Sequence, residues 1–213
     1  MLAVRRRWSR LLAACILLPG CLPGAGIALT PEAGRRRLST RVVAIGHFTV
    51  DPAVATSNTR ARRQAEGIAG HLPGAVGEAI AGSSRVGAKC VTTVAKLEAA
   101  RRLSASPAAQ VLTVRVKDWD SRTTRDIRAT VDELAKAGIS IEGTITDYQP
   151  TGLAGPGHMI AYLRVRDLGT GELLASTSLK GQSQMQGAGP FVEAYARSVA
   201  SFIIRLRSRM ATR

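Results

Sequence analysis

The pattern that most restricts the fold lies in the second half of the chain, where apolar segments alternate with turn residues. Residues 139–148, 158–168 and 173–179 are rich in alternating apolar and β-branched residues, which favours β-strands. Between the last two segments lies Gly169–Glu172, a turn sequence. We therefore predict a β-hairpin there, and a fold that contains a sheet.

Four further segments carry apolar residues three to four positions apart, the period of a helix that packs by one face. They are residues 59–81, 91–103, 123–137 and 190–209. Pro73 interrupts the first, which predicts a kink or two shorter helices. Cys90 lies either at the start of the second helix or in a strand just before it. The last helix is amphipathic and has arginines in its final turns, where cations complement the helix dipole.

Two more strands, at 41–48 and 110–119, give the order β-α-α-β-α-β-β-β-α. That order predicts an α/β (α+β) fold: a mixed sheet of about five strands packed against three to four helices, including the amphipathic C-terminal helix. Aromatic residues make up only 4% of the chain, so the core must consist mainly of Val, Ile, Leu and Ala. Residues 41–210 are the length of one domain.

The first thirty residues have the order of an export signal. Arginines between residues 5 and 10 precede an apolar run at 11–18, and no acidic residue occurs before Glu32. A basic region, a short apolar region and a cleavage site next to small residues define a secretory signal. The apolar run would rise only about 12 Å as a helix against roughly 30 Å of hydrocarbon, so it is too short to span a bilayer. We predict a signal peptide over residues 1–20.

The end of the apolar run, Leu18-Pro19-Gly20-Cys21, resembles the lipobox of bacterial lipoproteins. Leu18 fits the first position and Gly20 the small residue before the cysteine, whereas Pro19 departs from the residue usual there. The resemblance implies lipid attachment at Cys21, with residues 21–40 as a lipidated N-terminus and flexible linker. The alternative is an ordinary secretory signal cleaved at a later pair of small residues, which leaves a secreted or periplasmic domain.

The chain is strongly basic. Removing the four arginines of the signal from the net charge of +15 leaves +11. A charge of that size attracts anionic partners over long range, which in the envelope are lipid headgroups, lipopolysaccharide or acidic wall polymers. The export signal argues against nucleic acid. Because the arginines are spread along the chain, a basic composition that only keeps the protein soluble is the alternative.

Three predicted strands end in an aspartate: Asp118, Asp147 and Asp167. Carboxylates that meet at one rim of a sheet can bind a hard cation or raise one another's pKa, which would suit a metal or carboxylate enzyme. The alternative is that each aspartate marks a strand end, turns into a loop and pairs with an arginine. The histidines lie far apart without metal-ligand spacing, so neither a metal nor a cofactor is expected.

Cysteine usage depends on the N-terminus. Cys15 leaves with the signal, and lipid on Cys21 would leave Cys90 alone, as a small buried hydrophobe. If Cys21 is retained without lipid, a Cys21–Cys90 disulfide in an oxidising compartment is the alternative.

Residues 141–148 and 164–174 are similar to the second half of curli-secretion-type lipoproteins and of a group of uncharacterised bacterial envelope lipoproteins. In those proteins a strand with a central glycine, here Gly143, precedes a strand that ends in aspartate, here Asp167, and leads into a Thr-Gly-Glu hairpin. Residues 42–48 are similar to their first strand, where an acidic residue is commoner than His47. Long alternating segments for membrane-spanning strand pairs are missing from this sequence, so pore formation is not expected.

The resemblance implies a non-enzymatic domain of the cell envelope, at the outer membrane and facing the periplasm. It would assist assembly or export with other envelope proteins and could form a homo-oligomer. Membrane attachment through lipid on Cys21 is what the lipobox resemblance implies, and contact with anionic polymers is what the net charge favours. Two alternatives follow from the residues alone. One is a periplasmic module that binds an anionic glycan or lipid, and the other is the metal or carboxylate enzyme.

Overall fold

The computed structural model describes residues 28–29, 41–55, 59–104, 131–151, 156–183 and 189–211. The strands in these ranges are β1 (Ala28–Leu29), β2 (Val42–Val50), β3 (Cys90–Thr93), β4 (Ile139–Gln149), β5 (Gly157–Asp167) and β6 (Leu173–Ser183). The helices are α1 (Thr59–Ala81), α2 (Val94–Ser104), α3 (described over residues 131–136) and α4 (Gly189–Ala211).

The strands form one mixed sheet in the order β1-β6-β5-β4-β2-β3. Strand β2 is parallel to both β3 and β4, whereas β4, β5, β6 and β1 pair antiparallel. The predicted fold class is confirmed: a mixed sheet with helices and a C-terminal helix. The predicted strand at 110–119 lies outside the described residues.

One face of the sheet carries the main core. Helices α1 and α4 pack there against each other and against the strands. Alternate residues of β5 point into this core with almost no exposure: Met159, Ala161, Leu163 and Val165. Burying an apolar side chain of this size contributes about 1.5–3 kcal/mol, so this face supplies most of the hydrophobic stabilisation.

The other face is covered near β2. Ala44 of β2 packs there with Leu97 of α2 and with Val131 and Ala135 of α3. Helices therefore lie on both faces of the sheet, which explains why β2, with Val42 to Ile45 all buried, reads as a continuous apolar run.

Helix α1 runs through Pro73 as a single helix, so the predicted alternative of two shorter helices is wrong. Proline removes one helical hydrogen bond, at a cost of about 3 kcal/mol in a helix interior. Leu72 and Val76, on either side of it, are fully buried in the main core, and this burial offsets the lost bond. The choice left open for Cys90 is settled in favour of a strand, since it begins β3.

The predicted hairpin is confirmed between β5 and β6. Gly171 there has φ +74°, a left-handed conformation that glycine adopts without strain. Gly138, directly before β4, is required because of a close approach. A Cβ atom at that position would lie 2.7 Å from both the Cβ and the carbonyl oxygen of Val42, so only glycine fits.

The segment predicted to be a flexible linker contains a short strand. Ala28 pairs with Ser176 and Leu29 with Ala175, which places β1 on the open edge of β6. The chain therefore joins the sheet seven residues after Cys21. Residue 41, where the domain was predicted to begin, comes later. Cys21 itself lies outside the described residues.

Candidate functional site

The predicted carboxylate rim does not bring Asp147 and Asp167 together. Asp147 pairs with Ile160 near the start of β5, whereas Asp167 is the last residue of that strand. Ile160 and Asp167 are seven residues apart along β5, a distance of roughly 23 Å. The prediction was wrong for this pair because consecutive strands joined by a short connection are antiparallel, so their final residues lie at opposite ends of the sheet. Asp118 is outside the described residues.

The two aspartates have separate local roles. The Asp167 Oδ1 atom accepts hydrogen bonds from the backbone N–H groups of Gly169 and Thr170, at 2.7 and 2.8 Å. Asp167 thus stabilises the hairpin turn. This agrees with the alternative prediction, in which the aspartate marks a strand end and turns into a loop. The Asp147 Oδ2 atom lies 2.7 Å from Nε2 of His158 on the neighbouring strand, so its partner is a histidine and not the predicted arginine. Within the described ranges, no three His, Cys, Asp or Glu side chains are placed to hold a metal ion.

Cys90 is a buried thiol at the start of β3, with no disulfide partner among the described residues. Only 3% of its surface is exposed, and burial raises the pKa of the thiol from its ordinary value of 9.0. A protonated thiol is a poor nucleophile. Cys90 therefore packs as a small hydrophobe, as predicted.

A basic groove lies between β6, α4 and the loop after α1. Its volume is about 680 Å³, within the range of small-molecule sites. Four cationic side chains line it: Arg85, Lys180, Arg197 and Arg205. Three serines lie between them: Ser178, Ser198 and Ser201. In the described part of the chain no aspartate or glutamate belongs to this lining. We call this site the β6/α4 groove.

Helix α4 sets the spacing of two cations in the groove. Arg197, Ser201 and Arg205 are four residues apart, so they form one row along the helix. The two arginines are separated by about 12 Å of helix rise, with the serine hydroxyl between them. All three residues are exposed, whereas Val199 and Phe202 on the opposite side of the helix are buried in the core.

The loop after α1 is fastened to α4 and carries Arg85 to the groove. The Arg207 Nη1 atom donates to the carbonyl oxygen of Val86 at 2.7 Å and to that of Arg85 at 3.4 Å. Gly87 makes room for this guanidinium: a Cβ atom there would lie 2.6 Å from Nη1 of Arg207. Gly87 also has φ +63°, which favours glycine. Arg207 thus positions Arg85 without lining the groove itself.

The β6 edge forms the other wall of the groove. Among the described residues, strand β1 pairs with β6 at residues 175 and 176. Farther along the edge, the Ser198 hydroxyl lies 3.0 Å from the Ala194 carbonyl oxygen and 3.4 Å from that of Lys180. Helix α4 therefore covers part of the β6 backbone. A ligand in the groove would be contacted mainly by the side chains that line it.

The groove has a positive electrostatic field, and nearby carboxylates neutralise little of it. Glu193 approaches Arg197 at 4.0 Å, but both side chains are more than 70% exposed, and such a pair contributes at most about 1 kcal/mol. Guanidinium and ammonium groups next to hydroxyl donors form charge-assisted hydrogen bonds with phosphate or carboxylate oxygens. The side chains of this groove are therefore chemically suited to contact an anion.

Sequence reasoning missed this groove because its cations come from three separate parts of the chain. The arginines were interpreted as spread out, which is true along the sequence and not true in space. The Arg197-Ser201-Arg205 row was the available signal, since a repeat of four places side chains on one helix face.

No protein-family model matches the sequence, and no curated protein matches it. Among solved structures, the chain is similar to the PelC dodecamer from Paraburkholderia phytofirmans, with 15% identity and a TM-score of 0.42 over 83% of this chain and 96% of that one. It is also similar to lipoprotein GNA1162 from Neisseria meningitidis, with 15% identity and a TM-score of 0.33 over 76% of this chain and 95% of that one. A third, the hypothetical protein CT253 from Chlamydia trachomatis, has 10% identity and a TM-score of 0.37 over 81% and 99%.

Among the helices of the described ranges, none combines the length and the apolarity that crossing a bilayer requires.

Proposed function

We propose that this chain is an exported, non-enzymatic accessory protein of the bacterial cell envelope, anchored at the outer membrane by lipid on Cys21 and facing the periplasm. The observation that carries the proposal is the segment Leu18-Pro19-Gly20-Cys21 at the end of a basic and then apolar leader. Strand β1 begins at Ala28, seven residues after Cys21, and seven extended residues span at most about 25 Å. Lipid on Cys21 would hold the β6 edge of the sheet close to the membrane.

Fatty-acid labelling tests the anchor. Cells that express the native chain are grown with a radiolabelled fatty acid, and the labelled protein is compared with that from Cys21→Ala. We expect label on the native chain and none on the variant, because the acyl groups are attached through this cysteine. Cys15→Ala is the matched control: it removes another cysteine six residues away and should reduce labelling only if processing itself fails.

Equal labelling of the native chain and Cys21→Ala would contradict the lipid anchor. Export would then be tested on its own, by fractionation of the periplasm. A chain found only in the cytoplasm would overturn the whole proposal.

A second candidate, a module that binds an anionic ligand, is favoured by the β6/α4 groove. The groove concentrates four cations of a basic chain in one place, and long-range attraction to anions follows from that field. The enzyme hypothesis was based on carboxylates that meet at one rim of the sheet. Asp147 and Asp167 do not meet there, because Asp147 lies beside the start of β5 and Asp167 is the last residue of β5. A homo-oligomer stays a prediction.

A further inference from the structure

We infer that the β6/α4 groove binds phosphate headgroups of anionic phospholipids in the membrane to which the chain is anchored. The inference rests on the proposed function, because it takes the anchor to lie at Cys21. It adds a second membrane contact and a defined orientation of the domain. A lipid anchor together with a basic patch is one of the combinations that give stable attachment to a membrane.

The pairing of β1 places the groove near the described residue that lies closest in sequence to Cys21. Strand β1 is antiparallel to β6, and Ala28 pairs with Ser176. Ser176 is two residues from Ser178 and four residues from Lys180, which both line the groove. Lipid on Cys21 would keep Ala28, and with it the β6 edge, within about 25 Å of the membrane, because seven extended residues span no more.

The charges of the groove fit this surface. Arg197 and Arg205 lie about 12 Å apart along α4, and Arg85 and Lys180 add two cations across the groove. Anionic lipids attract basic residues near the surface within a Debye length, about 8 Å at physiological salt. The hydroxyls of Ser178 and Ser201 can also donate to phosphate oxygens, which a merely charged surface would not offer.

Addition of an extended peptide strand to the β6 edge is less consistent with the structure. Strand addition requires free backbone groups along the edge. The carbonyl oxygen of Lys180 already lies within hydrogen-bonding distance of the Ser198 hydroxyl, and α4 packs against this strand. The groups that remain available in the groove are cationic and hydroxyl side chains, which suit a phosphate better than a backbone.

Vesicle binding tests the inference. The protein is the chain from residue 21 onward with Cys21→Ser, which retains every described residue and carries no acyl chain. Cosedimentation is measured with phosphatidylcholine vesicles, with and without phosphatidylglycerol. We expect binding only to vesicles that contain phosphatidylglycerol, weakening as salt rises. Arg197→Gln/Arg205→Gln should weaken it about 30-fold, since each cation near the surface contributes about five-fold.

A matched variant separates the groove from net charge. Arg63→Gln/Arg102→Gln removes the same charge from exposed positions on α1 and α2, outside the groove. It should weaken vesicle binding by less than about three-fold, since these cations do not line the groove. Equal losses in the two double variants would overturn the inference. Thermal unfolding of both variants checks that neither change acts through folding.

Competing anions identify the source of the phosphate. Inorganic phosphate at the same phosphate concentration should leave the vesicle complex intact; displacement would show that the groove takes a free ion and would overturn the membrane claim. Groove-dependent binding to polygalacturonate without binding to vesicles would overturn it in favour of an acidic glycan. Failure with vesicles leaves fatty-acid labelling at Cys21 unaffected, so the two proposals fail separately.

Discussion

The centre of the sheet and its β6 edge differ in how much change each can accept. At the centre, the Phe48 ring lies over Gly143, where a Cβ atom would come within 2.4 Å of the ring. Gly138 is equally tight against Val42. At the edge, the side chains of the β6/α4 groove are largely exposed and surround an open volume of about 680 Å³.

This difference separates stability from recognition. Interiors are close-packed, so one added carbon at the centre must displace backbone or ring atoms. Exposed side chains away from such contacts usually change stability by no more than about 0.5 kcal/mol when substituted. We therefore expect the centre to determine the free energy of unfolding, while the groove can be altered with the fold intact.

The largest expected effect is at the centre, for Gly138→Ala. The new methyl group would lie 2.7 Å from the carbonyl oxygen of Val42, a backbone atom held in β2. Overpacking of this kind costs about 3 kcal/mol. Urea unfolding followed by circular dichroism measures the loss.

Gly67→Ala is the matched control for the same added methyl. Gly67 lies on α1, and a Cβ atom added there would meet nothing within 4 Å. Alanine also favours a helix by up to about 1 kcal/mol over glycine. This variant should be slightly more stable than the native chain. If both alanine variants have the native stability, the contrast between centre and edge is wrong.

The sequence was sufficient where the signal is local. The β5–β6 hairpin follows from its Gly-rich turn, and the buried face of α4 follows from the spacing of residues such as Phe191, Tyr195 and Phe202. These elements depend on neighbours in the chain, so a pattern of residue types specifies them. The tightness of Gly138 against Val42 has no such signal, because the two residues are far apart in sequence.

Features that depend on topology were the ones that sequence reasoning missed. The shared ending of the β4 and β5 segments suggested a common rim, but strand direction puts Asp147 and Asp167 at opposite ends. The β6/α4 groove requires Arg85, Lys180 and α4 to meet, which only the fold determines. The choice between one helix and two at Pro73 likewise depends on tertiary burial of Leu72 and Val76, which outweighs the local effect of proline.

An intermediate effect is expected where the edge is fastened to the core. Arg207→Met removes the guanidinium that donates to the Val86 and Arg85 carbonyl oxygens. Hydrogen bonds from charged groups contribute about 1.5 kcal/mol, so we expect a loss of that order. Thermal unfolding measures it, and hydrogen exchange over residues 82–89 should rise more than exchange in β5.

Arg205→Met provides the comparison, because it removes the same charge from an exposed position two residues earlier on α4. Its stability should stay within about 0.5 kcal/mol of the native value. Equal destabilisation by the two substitutions would assign the effect to lost charge and not to the loop contact.

The smallest effect concerns Tyr195, and it is expected to increase stability. Tyr195 is fully buried, and its hydroxyl has no hydrogen-bond partner among the residues that the structure describes. A buried polar group without a partner costs about 1 kcal/mol or more, so Tyr195→Phe should raise the free energy of unfolding by about 1 kcal/mol at neutral pH. Tyr162→Phe is the control, since Tyr162 is exposed, and it should leave stability unchanged.

The same substitution changes how stability depends on pH. Burial raises the pKa of Tyr195 above its ordinary value of 10.0 and that of Cys90 above 9.0, so both groups stay protonated in the fold where the unfolded chain ionises. Their contribution to stability is complete below the unfolded pKa and is lost as pH rises beyond it. The native chain should therefore weaken from about pH 9 upward, and Tyr195→Phe should flatten the part of the decline above pH 10. An unchanged slope in Tyr195→Phe would mean that the ring is accessible to water, and the core between β2 and α4 would then be less tightly packed than its contact with Phe48 indicates.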